Sequence, residues 1–265
     1  MHATEREAHI LQAVRRRGFV SFQELESQMS ASAATIRRDL ERLRTAGLLT
    51  RVHGGAKRAE AKAVAAAPRR DASPHLEGTP LDQSVNLNTA QKAAIGKAAA
   101  RLCDSKESVM IDGGSTTLQM CRHLGGLDLQ ALTNSLPIAI ALLKQRGTRV
   151  LVPAGQVFAE QNIILSLNND DGMPLFHAPK LFMGCAALGP AGLMQADMLL
   201  VAAERRLIER ADKIIVLMDS SKFDGPSGHV VCRLDEIDVI VTDKGISRRN
   251  RALLKTADIQ LIIAQ

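Results

Sequence analysis

One stretch decides the fold of the first part of the chain: SAATIRRDLERL at residues 32–43, followed by RVHGGA at residues 51–56. Ile36, Leu40 and Leu43 are spaced at i, i+4 and i+7, so a helix would place them on one face. Arginines at positions 37, 38 and 42 would then lie away from that face. A helix that packs on one side and presents guanidinium groups on the other suits the major groove of DNA.

The charge distribution supports a polyanion partner for this part of the chain. The whole chain carries a formal net charge of +6. Residues 1–70 contain 14 Lys and Arg against 7 Asp and Glu, whereas residues 71–265 contain 20 against 21. A basic excess confined to the first quarter is expected where one module binds nucleic acid and the other does not. A solvated basic face on a small helical domain is the alternative.

The amino-acid composition limits the number of domains and the classes of function that the chain can have. With 265 residues and 46% hydrophobic content, the chain can form two domains with sizeable cores. It has no Trp, no Tyr and six Phe, which argues against the aromatic stacking used in single-strand binding. Four cysteines lie far apart, so buried thiols are expected rather than disulfides or a metal site. No apolar segment approaches a membrane span, so we expect a cytoplasmic protein without a membrane partner, metal or cofactor.

Three helices and a hairpin are predicted before residue 57. The first helix spans Glu5 to Arg17, and the second begins after a possible N-cap at Ser21 and continues to Met29. The third begins at Ser32 and ends near Ala46, and residues 48–57 suit a two-stranded wing. This order predicts a winged helix-turn-helix that binds double-stranded operator DNA.

These motifs resemble those of the DeoR family of bacterial sugar-metabolism repressors. The resemblance rests on TIRRDL at residues 35–40 and HGGA at residues 53–56. It implies that the third helix is the recognition helix and that the wing contacts the backbone or the minor groove. Asp39 is interpreted as orienting an arginine through a local ion pair. The DNA-binding residues expected on this basis are Ser32, Thr35, Arg37, Arg38, Arg42, Arg51, His53 and Gly54.

An alanine- and proline-containing stretch separates this module from the rest. It predicts a DNA-binding domain over residues 1–57, a linker over residues 58–88 and an effector-sensing and oligomerisation domain over residues 89–265.

Apolar strand-like runs alternate with helical segments in the third region, which predicts a mostly parallel α/β sheet with helices on both faces. The candidate strands are Ser108–Asp112, Leu129–Thr133, Arg149–Pro153, Leu181–Gly184, Lys213–Asp219, Val239–Thr242 and Ile259–Ile263. The candidate helices lie near 90–103, 116–124, 136–147, 196–211 and 248–257.

Polar residues follow three of these strands, and ligands of such sheets bind beyond the carboxyl ends of the strands. The segments are DGGSTT at 112–117, TNS at 133–135 and DSSK at 219–222. Taken singly, each is an ordinary strand-to-helix turn with N-cap residues. Together, with one lysine, they favour a small anionic ligand.

The same motifs resemble the DeoR-family sensor domain, whose fold is ribose-5-phosphate-isomerase-like and whose effectors are phosphorylated sugars or related metabolites. Carried over residue by residue, the resemblance implies a phosphate near Gly114, Ser115 and Thr116. The full set of expected effector-binding residues is Asp112, Gly114, Ser115, Thr116, Thr133, Asn134, Ser135 and Lys222.

Three functions are compatible with these sequence features. The expected one is a non-catalytic, homo-oligomeric repressor of a carbohydrate-utilisation operon, released by a phosphorylated effector. A sugar-phosphate isomerase fused to a DNA-binding domain would need a placed carboxylate base, whereas the strand at Leu181–Met183 runs into GCAAL. A constitutive oligomeric DNA-binding protein would not require the polar strand ends.

Overall fold

The computed structural model describes residues 3–17, 19–29, 31, 33–45, 49–52, 55–58, 76–166, 172–225 and 228–265. The chain divides into two compact units, Met1–Ser73 and Pro74–Gln265. No helix among the described residues is long and apolar enough to cross a membrane.

The first unit contains three helices and a small antiparallel sheet. Its elements are α1 (Ala3–Arg17), β1 (Phe19–Ser21), α2 (Phe22–Gln28), α3 (Ala33–Thr45), β2 (Leu49–Val52) and β3 (Gly55–Arg58). The expected N-cap at Ser21 is confirmed, since its hydroxyl accepts from Glu24 N and Glu24 in turn accepts from Ser21 N, which forms a capping box. The sheet order β1-β3-β2 adds a strand to the expected hairpin. The winged helix-turn-helix is thus confirmed.

Apolar spacing determines how the helices of this unit pack. Ile36, Leu40 and Leu43 of α3 are all buried, as their spacing predicts. They form a core with residues of α1, α2 and the sheet, including Ile10 and Leu25.

The second unit contains a seven-stranded sheet with flanking helices. Its elements are α4 (Leu81–Ser84), α5 (Thr89–Ala100), β4 (Ser108–Ile111), α6 (Ser115–Cys121), β5 (Gln130–Leu132), α7 (Leu136–Leu143), β6 (Arg149–Leu151), β7 (Gln156–Phe158), β8 (Ile163–Leu165), β9 (Ala178–Met183), β10 (Ala187–Gly189), β11 (Gly192–Gln195), α8 (Met198–Ile208), β12 (Ala211–Leu217), β13 (His229–Cys232), β14 (Val239–Thr242), α9 (Arg248–Thr256) and β15 (Gln260–Ile263).

All seven candidate strands enter one parallel sheet, in the order β15-β14-β12-β9-β4-β5-β6. The expected α/β class is confirmed. From β4 the chain builds the sheet toward β6, and from β9 it builds the sheet in the other direction toward β15. The strand order therefore reverses between β4 and β9, which is where an open α/β sheet offers a ligand crevice.

Two smaller elements were not predicted. β7 and β8 form an antiparallel hairpin, and β10, β11 and β13 form a separate antiparallel sheet. Phe158 and Ile163 of the hairpin belong to the same buried hydrophobic cluster as Leu76. Residues 76–88, which the sequence analysis assigned to the linker, therefore belong to the second unit.

Candidate functional site

The expected DNA-contacting residues fall into three groups in the structure. Ser32, His53 and Gly54 lie outside the described residues. The backbones of Arg37 and Arg51 are placed in α3 and β2, and their side chains lie outside what the structure describes. Thr35, Arg38 and Arg42 are described fully, with Thr35 half-buried and the two arginines exposed.

Asp39 holds two arginines in place on this unit. Its carboxylate is fully buried and accepts from Arg6 Nε of α1 at 2.8 Å. It also accepts from Arg42 Nη2, one turn further along α3, which confirms the expected local ion pair. Arg42 Nε lies 3.4 Å from Glu7 Oε1. The pair between Arg6 and Asp39 ties α1 to α3, a role that the sequence analysis did not assign.

A cavity of about 390 Å³ opens at the carboxyl ends of β4, β9 and β12 in the second unit. This size falls within the usual range for small-molecule sites. Among the expected effector residues, it is lined by Asp112, Gly114, Ser115, Thr116 and Lys222. The crevice predicted from the strand order therefore exists, and two of the three polar strand ends line it.

The loop after β4 is fixed by its neighbours. Asp112 is buried, and its Oδ1 accepts from Asn134 Nδ2 at 2.8 Å. Asn134 Oδ1 accepts from Gly113 N at 2.9 Å. A Cβ at Gly113 would lie 2.6 Å from Ile163 Cγ2, so a larger residue does not fit there. Thr116 is buried, and its Oγ1 has no hydrogen-bond partner among the described residues.

The sequence predicts that the third polar strand end, residues 133–135, contributes to the effector site, but the structure places it behind the cavity wall. Thr133, Asn134 and Ser135 are buried and do not line the cavity. Thr133 Oγ1 accepts from Ser135 N, and Ser135 caps α7. The β7–β8 hairpin covers this strand end, because Ile164 N donates to Asn134 O and Leu136 N donates to Asn162 O. The structure gives these three residues supporting hydrogen bonds behind the cavity wall.

Two lysines reach the cavity. Lys222 Nζ donates to Cys185 O, two residues after the end of β9. Lys92 of α5 donates to Ser84 O, and it was missed because it lies outside the strand-end motifs. Burial lowers the pKa of Lys92, and the nearby charge of Lys222 lowers it further. Lys92 falls on the apolar face of α5 with Ile95 and Ala99, and a lysine at such a position was the signal available in the sequence.

Buried carboxyl groups line the same cavity as these lysines. Asp219 is buried and accepts from Asn88 Nδ2 at 3.0 Å. Glu204 of α8 is buried, lines the cavity and was also missed. Burial raises the pKa of Asp112 to about 6, against the opposing effect of its hydrogen bonds from Asn134 and Gly113 N. Burial raises the pKa of Glu204 well above its ordinary value, and the adjacent Asp112 raises it further.

Residues 76–88, named here the wall segment, close one side of the cavity. Glu77 N donates to Asp197 Oδ2 at 2.9 Å, while Asp197 Oδ1 caps α8. Leu81 N donates to Glu160 O at 2.8 Å. Within the segment, Ser84 Oγ lies 2.8 Å from Ser115 Oγ on the loop after β4. Several residues of the wall segment, among them Ser84 and Asn88, line the cavity themselves.

The four cysteines are buried and free, as expected. Among the described residues no group of three or more His, Cys, Asp or Glu is arranged to hold a metal ion.

Comparison with known proteins covers both units. A model of the DeoR-like helix-turn-helix domain matches residues 6–62, and a model of the DeoR C terminal sensor domain matches residues 87–244. The HTH-type transcriptional regulators UlaR of Escherichia coli (strain SMS-3-5 / SECEC) and of Shigella boydii serotype 18 (strain CDC 3083-94 / BS512) are each 32% identical over 243 residues. Each alignment covers 91% of this chain and 92% of the relative.

Among solved structures, ribose 5-phosphate isomerase A from Methanocaldococcus jannaschii is similar with a TM-score of 0.37 at 16% identity. That alignment covers 51% of this chain and 55% of the isomerase. The family assignment rests on the two domain models and on relatives that match almost the whole chain. The chain belongs to the DeoR family, as a transcriptional regulator with a DNA-binding helix-turn-helix domain and a C-terminal sensor domain.

Proposed function

We propose that this regulator represses a carbohydrate-utilisation operon and that a phosphorylated sugar or a related metabolite releases it from operator DNA. Residues 1–57 bind the operator, and residues 89–265 bind the effector and mediate homo-oligomerisation. Residues 58–88 connect them, and their last part, the wall segment, also lines the cavity. Two DNA-binding domains in one oligomer would bind two repeated DNA half-sites together, and so more tightly than a single recognition helix binds one half-site.

The observation that carries the effector site is the set of groups meeting in the cavity. Lys92 and Lys222 supply two ammonium groups, and Ser115 and Thr116 supply hydroxyls. Thr116 Oγ1 is buried without a partner among the described residues, which is costly unless a ligand engages it. A phosphate group satisfies both requirements, because it carries negative charge and several acceptor oxygens.

The wall segment offers a physical route from effector to operator. Gly78 has a φ angle of +108°, in the left-handed region that favours glycine. A Cβ atom added at this residue would lie 3.1 Å from Ala196 Cβ. An effector that contacts Ser84 and Asn88 changes how firmly this segment is held. Coupling of this kind typically amounts to about 1–3 kcal/mol between linked sites.

The test is a thermal-shift screen of the full chain against sugar phosphates and their unphosphorylated parents. A true effector at about 100 times its Kd should add roughly 2.7 kcal/mol of stability. We expect hits that require the phosphate, and we expect Lys222→Ala to weaken those hits about tenfold or more through loss of a charge-assisted hydrogen bond. Lys255→Ala, an exposed lysine of α9, serves as the matched control.

Operator binding separates this proposal from a constitutive DNA-binding protein. Lys222→Ala should keep operator affinity while requiring more effector for release. If a ligand that stabilises the chain leaves operator affinity unchanged, the release mechanism is wrong.

An isomerase is the second candidate, and the carboxyls of Asp112 and Glu204 favour it because isomerisation needs a placed base. We propose a sensor without catalysis, since the family relatives are transcriptional regulators. Turnover of any sugar phosphate that binds, measured by chromatography of the recovered ligand, would decide for the isomerase.

A further inference from the structure

Glu204 has an unusual environment for a carboxylate. Its side chain is 3% exposed and lines the cavity. Oε1 accepts from Gln195 Nε2 at 2.6 Å, whereas Oε2 is buried with no hydrogen-bond partner among the described residues. Leaving a carboxylate oxygen buried and unpaired is costly. The site is therefore arranged for a proton, a ligand or both at Oε2.

The carboxyl of Asp112 is adjacent to that of Glu204. Two neighbouring buried carboxylates cannot both ionise cheaply, because burial and like charge act in the same direction. One shared proton would let the protonated carboxyl donate to the other. The raised pKa values of both groups agree with this arrangement.

We propose that Asp112 and Glu204 share a proton, and that this pair makes the cavity selective for an anionic effector by taking up a further fraction of a proton when the effector binds. The shared proton then removes one negative charge from the cavity that the anionic effector enters. Glu204 is thereby a specificity-determining residue. This inference rests on the effector site proposed above.

The charges around Asp112 and Glu204 explain why protonation of the pair should strengthen anion binding. With both carboxyls ionised, Asp112, Glu204 and Asp219 would set three buried carboxylates against Lys92 and Lys222. An incoming dianion would meet a net negative cavity. A proton on the pair removes that excess, so anion binding and protonation favour each other.

Other titratable groups lie around the cavity that Glu204 lines. Cys185 and Lys222 line the same cavity and interact with Glu204 electrostatically, and the exposed Glu77 also lines the cavity. On α8 itself, Arg205 pairs instead with Glu236, with Nη1 to Oε2 at 2.6 Å. His229 is the register partner of Gln195 on β13, which makes it the histidine to control for.

Sulfate is the probe of choice, because unlike phosphate it does not titrate in the range of interest. Its binding to the full chain is measured by calorimetry from about pH 8 to about pH 6, in two buffers of different ionisation enthalpy, with chloride holding ionic strength constant. We expect affinity to rise about tenfold across this range, with net proton uptake on binding.

Two variants of the pair and one control test whether Asp112 and Glu204 cause the pH dependence of sulfate binding. Glu204→Gln preserves the shape and the contact with Gln195, and it should abolish the pH dependence while binding sulfate at about pH 8 as tightly as the wild type does at about pH 6. Asp112→Asn should act in the same direction, and it provides a second reading if one variant folds poorly by circular dichroism. His229→Gln should keep the wild-type pH dependence.

Two results would overturn the inference. If sulfate binds with an affinity that does not depend on pH, or if Glu204→Gln keeps the wild-type slope, the proton-sharing pair is wrong and the anion site stands. If neither sulfate nor any sugar phosphate binds at any pH tested, the effector site fails and this inference fails with it.

Discussion

Asn134 and Asp112 are joined by a buried hydrogen bond of 2.8 Å, from Nδ2 of the amide to Oδ1 of the carboxyl. The other end of the same amide accepts from Gly113 N at 2.9 Å. One side chain after β5 thus fixes both the acid and the backbone of the loop after β4. Asn134 organises the cavity without lining it.

Replacing Asn134 by Ala should therefore destabilise the chain. The change leaves Asp112 and Gly113 N without their buried partner, which should cost about 3 kcal/mol in the free energy of unfolding. Urea denaturation followed by circular dichroism measures it, since the chain has no Trp or Tyr. Asn86→Ala is the control, because Asn86 is exposed and donates to Asp82 O, and it should cost less than about 0.5 kcal/mol. Equal effects of the two changes would refute this role for Asn134.

The raised pKa of Asp112 predicts how stability depends on pH without any effector. The folded chain holds this proton up to about pH 6, whereas an unfolded Asp releases it near pH 4. The folded state binds more protons in between, so the contribution of Asp112 to stability increases as pH falls from about 6 toward 4. The wild type should gain up to about 3 kcal/mol relative to Asp112→Asn over this interval. Parallel stability curves for the two proteins would exclude the predicted pKa.

Arg38 of α3 is the described arginine best placed to test the operator interface, because it is exposed on the helix that we expect to enter the major groove. Arg38→Ala should weaken operator binding about tenfold to hundredfold if it reads a base, and should lower the salt dependence by about one ion if it contacts a phosphate. Fluorescence anisotropy with a duplex selected from a random pool measures both. The exposed Arg146→Ala in the second unit should change neither.

The thiols should be unreactive in the folded chain. Burial raises the pKa of Cys103, Cys121 and Cys232 to about 12 and that of Cys185 to about 11. At about pH 8 less than roughly one thiol in a thousand is ionised, and access is blocked as well. Labelling with a thiol reagent should be slow until denaturant is added, and then all four should react. Rapid labelling of one thiol in the native chain would contradict this prediction.

The long apolar strands could be predicted from the sequence because they enter a buried parallel sheet. Val239–Thr242 was predicted as a strand, and in the structure it forms β14 with all four residues buried. The hairpin of β7 and β8 was missed, since its strands have three residues each and carry no strong turn signal. That omission mattered, because the hairpin is what covers Thr133–Ser135 and separates them from the cavity.

Only some of the residues that line the cavity could be predicted, because the others come from helices that tertiary packing brings to it. Strand-end residues such as Asp112 and Lys222 follow from local order along the chain, because parallel strands end at one edge of the sheet. Lys92 and Glu204 reach the same cavity from helices that are brought there by tertiary packing. Each is a charged residue among apolar helix positions, so the sequence marks it as unusual without indicating what it faces.

The wall segment is also the described part of the second unit that lies nearest in sequence to the first unit. Its thirteen residues, 76–88, are anchored where Leu76 is buried and where Leu81 N donates to Glu160 O. Thirteen extended residues span about 45 Å, at roughly 3.4 Å each. One turn of DNA spans about 34 Å. Under the proposed function, releasing this segment would add up to thirteen residues to the connection between the two units, and would so widen the range of half-site spacings that an oligomer could bridge.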